Sequence, residues 1–190
     1  MTKDSLSDRQ GDYVPLSVEL YVEDSFYDLS STKSVKIADT DTRIPPETWE
    51  NWFNQWLKIL HPQIPPAPSY EIGLRLTDDS QIQELNAQYR QQNKPTDVLA
   101  FAALEVDFPQ NKEMLASVPL YLGDIIVSVD TAQRQAQQME HSLPTELAWL
   151  ATHGLLHLLG WDHPDEESLG RMLKQQVKLL NVIGIAIDIE

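Results

Sequence analysis

The chain has no cysteine, which excludes disulfides as a scaffold and thiolates as metal ligands. It has no apolar run of about 18 residues, and the polar start, Met1 to Tyr13, lacks the apolar core of a secretion signal. These absences lead us to expect a soluble, cytoplasmic protein with no membrane contact. Basic residues are scarce: 14 Lys and Arg face 29 Asp and Glu, for a net charge of −15. That balance opposes any role resting on broad phosphate attraction, such as coating nucleic acid. Nucleic acid remains possible as a substrate where a bound cation and a few local Arg or Lys residues reverse the field. Internal repeats are absent, and 190 residues suffice for one domain with a core of its own.

Histidine, by contrast, is concentrated. Three of the five histidines fall within ATHGLLHLLGWDH, Ala151 to His163. His153 and His157 are four apart in an apolar run without proline, so on a helix they share one face. Gly160 supplies the residue that ends such a helix, and a turn through Trp161 and Asp162 can swing His163 back toward the other two. Three neutral nitrogens with an open fourth position suit one catalytic Zn2+ ion, which brings the pKa of a bound water to about 7. Hydrolysis is the chemistry this predicts. Taken singly, each histidine could be an ordinary core or loop residue; the array fits a ligand geometry. The half HLLGWDH also matches the HxxGxxH half of the metzincin peptidase motif. Those peptidases need a glutamate base directly after the first histidine, and here that position is Gly154.

Along the chain, residues 1–15 read as a flexible polar tail, and 16–190 as a single hydrolase domain with 23–42 as an insertion or long loop. VELYV at 18–22 alternates as a half-buried strand. Pro45-Pro46 opens a helix whose stripe of Trp49, Trp52, Phe53, Trp56 and Leu60 is expected to pack on a sheet rather than stack on bases. YEIGLRL at 70–76 is a second strand. Asp78 then caps a helix with Ile82, Leu85 and Tyr89 on its apolar side. A polar turn holding Arg90, Asn93, Lys94 and Pro95 precedes a third strand near 98–101. A loop at 105–119 leads to a fourth strand, 120–129, with Gly123-Asp124 inside it. Asp130 is expected to cap a polar helix, and Pro144 to Gly160 forms the histidine helix. A last helix begins at Asp165, with Leu169, Met172, Leu173, Val177 and Leu180 facing the core. The order predicts an α+β fold, a small mixed four-stranded sheet covered by helices.

HGLLHLLGWDH at 153–163, LNAQYRQQNKPTDVLAF at 85–101 and LGDI at 122–125 together resemble, in matching order, the YbeY family of bacterial metal-dependent endoribonucleases, or rRNA maturation factors. The resemblance runs from about Val18 to about Val182. It implies a zincin-like fold, zinc on His153, His157 and His163, and cleavage of single-stranded RNA in ribosomal RNA maturation, including the small-subunit 3′ end, with a part in ribosome quality control. The family's functional arginine, in YRGKDKPT, corresponds to Arg90, which would grip phosphate oxygens in the transition state. The chain departs with Gln91-Gln92-Asn93 where Gly-Lys-Asp is usual, and with Trp161 where Tyr is usual. Lys94 is read as a solvated turn residue. Asp124 is left between orienting a metal-bound histidine and pairing at a strand edge, while Asp162 is expected to fix its own turn and His61 and His141 to sit at helix ends. Two other classes stay open: a zinc metallopeptidase, and a non-catalytic docking factor with structural zinc that binds a ribosomal protein or a GTPase.

Overall fold

The computed structural model describes residues 16–30, 43–104 and 118–188. The expected tail at 1–15 lies outside them, as do 31–42 and most of the 105–119 loop. The elements are β1 (Val18–Asp24), α1 (Ser25–Ser30), α2 (Pro46–Leu60), a 3-10 turn (His61–Gln63), β2 (Tyr70–Thr77), α3 (Asp79–Arg90), β3 (Val98–Ala102), β4 (Leu120–Ser128), α4 (Val129–Gln138), α5 (Leu143–Leu158) and α6 (Glu166–Val182). The strands form one mixed sheet in the order β1-β2-β4-β3. β1 and β4 run parallel to β2, and β3 lies antiparallel to β4 at an edge.

The sheet has one thickly covered face. Alternation along β2 sends Ile72, Leu74 and Leu76 into the core, and β4 adds Leu122, Ile125 and Val127. Trp49, Phe53 and Trp56 of α2 are wholly buried in that layer, where the Trp56 indole donates to the Leu179 carbonyl of α6 at 3.0 Å. Burying three such rings contributes several kcal/mol, at about 25 cal/mol per Å² of apolar surface. The stripe is therefore core, as its helical spacing predicts. α5 lies against β3 and β4, and α6 packs on α5 and α2. On the opposite face, α3 covers a smaller cluster of Ile82, Leu99 and Ile126.

Four expectations are corrected. The stretch from Glu23 is no loop at its start: β1 continues to Asp24, whose carboxylate accepts the Tyr27 amide at 3.2 Å at the opening of α1. Ser128, not Asp130, caps α4, accepting the Thr131 amide at 3.2 Å, and Asp130 instead accepts the Asp79 amide at 3.1 Å. Leu169 of α6 is 38% exposed, because the inward stripe runs through Ser168, Met172, Gln175, Gln176, Leu179 and Leu180. His141 is more than a helix-end residue, since it pairs with the buried Glu146 carboxylate. Burial pushes the Glu146 carboxyl up, against the pull of His141. Among the described residues no helix is long and apolar enough to cross a membrane.

Candidate metal centre

The centre is built on α5. Ser142 caps it, accepting the Thr145 amide at 3.2 Å, and Pro144 lies in the first turn, where its missing N–H costs nothing. The helix ends in a Schellman arrangement: Trp161 N–H donates to the Leu156 carbonyl and Gly160 N–H to the His157 carbonyl, each at 3.0 Å. Gly160 adopts φ +83°, a conformation that penalises any side chain. This reversal, with the His163 amide held by the Asp162 carboxylate at 2.8 Å, returns His163 to the helix. Its ring centroid lies 5.5 Å from that of His153 and 5.3 Å from that of His157.

One ring nitrogen from each histidine falls within 4.8 Å of the others, and the Nε2 atoms of His153 and His157 approach to 3.0 Å. A tetrahedral ion with metal–nitrogen distances of about 2.0–2.1 Å brings its ligands to comparable spacings. Gln176, fully buried on α6, accepts from His153 Nδ1–H at 3.2 Å while its amide donates to the Trp149 carbonyl at 3.2 Å. That pair of bonds fixes the tautomer and leaves His153 Nε2 unprotonated, its lone pair available to a metal. Burial, with the charge of the neighbouring histidines, holds His157 down to about 4, and burial likewise lowers His153. Both rings are thus neutral at neutral pH, the state in which imidazole binds metal. Geometry, tautomer and protonation all fit a divalent ion.

Gly154 faces the other way. A Cβ there would sit 2.6 Å from Ile125 Cγ2 and 3.4 Å from Val98 Cγ2, so the position after His153 is packed against the sheet. A peptidase-type glutamate has no room.

Arg90 ends α3, exposed and without an ion pair among the described residues. The structure does not join it to the histidine cluster by any bond; it heads a turn pinned from below. Asn86, buried on α3, donates through Nδ2 to the Lys94 carbonyl at 2.8 Å, and Gln83 donates to Asn93 Oδ1 at 2.9 Å. Gln91 takes the left-handed conformation, φ 58°. Lys94 is exposed. Asp124 lies on the sheet face away from α5, since its neighbour Ile125 is the residue that packs on Gly154. It does not orient His153; Gln176 does.

The sequence model of the family described as Endoribonuclease YbeY matches residues 34–184. The chain belongs to the YbeY family. A Nostoc sp. protein named Endoribonuclease YbeY is 65% identical over 184 residues, 97% of this chain and 98% of its own. A Trichormus variabilis protein of the same name is 66% identical over 174 residues, covering 92% of this chain and 98% of its own. The solution structure of a Thermotoga maritima protein superposes with a TM-score of 0.50 at 24% identity, over 88% of this chain and 89% of that one, a likeness in fold.

Proposed function

We propose that this YbeY-family chain is a zinc-dependent endoribonuclease that cuts single-stranded RNA during ribosomal RNA maturation, including at the small-subunit 3′ end, and serves ribosome quality control in the cytoplasm. The observation that carries the reading is the convergence of three imidazole nitrogens at the end of α5, on a chain whose full-length relatives are named endoribonucleases. His153, His157 and His163 would hold one Zn2+, which when bound supplies a water acidic enough to ionise near neutral pH and a positive charge beside the phosphodiester. Gln176 keeps His153 Nε2 turned toward His157. Asp162 and Gly160 hold His163 in place. Arg90, without an ion pair among the described residues, binds two phosphate oxygens at once through its guanidinium and stabilises the charge that builds on them. Its exposure on a turn braced by Asn86 leaves it in reach of a polynucleotide.

Two features disfavour the peptidase alternative: the tight packing at Gly154 and the names of the relatives. The net charge of −15 favours a partner, a ribosomal protein or a GTPase, that brings RNA to this acidic protein. Single-turnover cleavage of single-stranded rRNA fragments by zinc-loaded wild type and Arg90→Lys, at equal metal content, checks the catalytic assignment. We expect a rate loss of about 100-fold, the scale of removing one preorganised donor. Equal rates would remove Arg90 from the mechanism.

A further inference from the structure

Among the described residues, the sheet face opposite α5 is only partly covered. Beyond α3 it opens into a groove of about 710 Å³, whose lining includes Tyr21, Glu23, Arg75, Tyr89, Phe101 and Asp124. Tyr89 is 59% exposed, and its ring meets Phe101 edge-on, with centroids 5.1 Å apart and planes at 70°. A purely structural tyrosine would be buried or would use its hydroxyl; Tyr89 does neither among the described residues. Phe101 is the register partner of Asp124 on β4, so ring and carboxylate are same-face neighbours. Glycine at position 73 makes this arrangement possible, because a Cβ there would lie 2.0 Å from Asp124 Oδ1. Arg75 is tied to Glu23 at 2.9 Å and does not neutralise Asp124.

Asp124 accepts the Tyr121 hydroxyl and keeps its other lone pairs for a ligand, and aromatic walls beside such a carboxylate attract one part of a nucleic acid and repel another. Phosphate is excluded by Asp124 and the nearby Glu71 and Glu19, which share this face through the β1–β2 and β2–β4 registers. A base is not. Base–aromatic stacking needs only a π face, and a carboxylate accepts from base N–H groups. Arg90, the residue after Tyr89, is exposed and without an ion pair among the described residues, and would be the group to hold the RNA backbone. Strand β3 is the common wall: Val98 packs beside Gly154 between the two helix ligands, and Phe101 faces the groove.

We propose that the Tyr89–Phe101–Asp124 groove is a base-binding subsite for single-stranded RNA that selects guanine, whose N1–H and N2 amino group can both donate to Asp124. Adenine and cytosine offer one amino group each, and uracil a single N–H. The subsite rests on the nuclease reading, and the experiment separates the two. Fluorescence anisotropy with zinc-loaded full-length protein would use non-cleavable 2′-O-methyl RNA hexamers, uniform except for one G, A, C or U. Cleavage of the unmodified hexamers would be followed in parallel. We expect guanine to bind roughly fivefold or more tightly than uracil. Tyr89→Leu should weaken binding roughly tenfold, with Tyr89→Phe near wild type, and Asp124→Asn should erase the guanine preference. Binding unmoved by Tyr89→Leu, a base preference unmoved by Asp124→Asn, or no RNA binding by wild type would overturn the subsite. So would retention of a lysine-rich peptide that Asp124→Asn abolishes while RNA binding holds, which would make the face a protein-docking surface. Absence of cleavage with the expected binding pattern would reject the nuclease reading and keep the subsite.

Discussion

An imidazole can present either of its nitrogens, and at His153 the choice is made by Gln176, 23 residues further along the chain. Outer-shell partners of this kind are worth about 10- to 100-fold in metal affinity. Gln176→Leu should therefore weaken zinc binding by that factor in competition titrations, while Gln176→Glu, which still accepts from Nδ1–H, should retain it; unchanged affinity in Gln176→Leu would deny the orienting role. The histidines also tie stability to pH. Unfolded, their pKa lies near 6.5; folded, burial lowers His153 and takes His157 to about 4. As pH falls through this window the unfolded chain takes up protons that the folded chain refuses, so the metal-free protein loses stability between about 6.5 and about 4. Urea midpoints in chelator at pH 7.5 and 5 should fall further for wild type than for His157→Asn, and parallel falls would contradict the shift. The clustering of His153, His157 and His163 was legible in the sequence because helical spacing and a helix-stopping glycine are local. Gln176 was not: a glutamine on an amphipathic helix reads as solvated until the facing helix is placed. Asp124 was ambiguous for the same reason, since only the register of β4 decides which face it takes.

At the scale of elements, the caps were mostly readable and the exceptions have local causes. Asp78 caps α3 as expected, and Asp165, expected only to begin the last helix, caps α6 in a reciprocal box with Ser168. Asp130 was displaced because Ser128, two residues earlier, already supplies the capping oxygen. The α6 stripe was misplaced at Leu169, where the helix start faces outward and Ser168 turns in to close the box. The turn after α3 holds the clearest element-level departure from the family resemblance. Gln91 sits at φ 58°, ψ 27°, where the family usually has glycine, and a side chain in that conformation costs roughly 1–2 kcal/mol. Gln91→Gly should recover about 1 kcal/mol of stability in denaturant titrations, discounted by the extra freedom glycine has when unfolded. A loss of stability instead would mean that the Gln91 side chain makes contacts that outweigh its backbone strain.

Over the whole molecule, alternation and helical stripes sufficed to predict a mixed four-stranded sheet with helices, because burial imposes those periods on the sequence directly. Strand order and the two unequal faces were not legible; they depend on pairings between residues about 30 to 50 apart in the chain, such as Leu74 with Val22 and Ile125. That topology is what puts α5 and its histidines against edge strand β3, and, among the described residues, leaves the far face open beyond α3. It also bears on how an acidic protein could meet an RNA substrate: a divalent ion held by the α5 histidines, with Arg90 on its turn, would add positive charge to a chain of net charge −15. The most direct test is cleavage of end-labelled single-stranded rRNA fragments by zinc-loaded protein beside identically purified His157→Ala. Cutting by the unaltered protein alone is the predicted result, and it would locate the nuclease at the three-histidine centre. Equal cutting by both, or by neither, would contradict it.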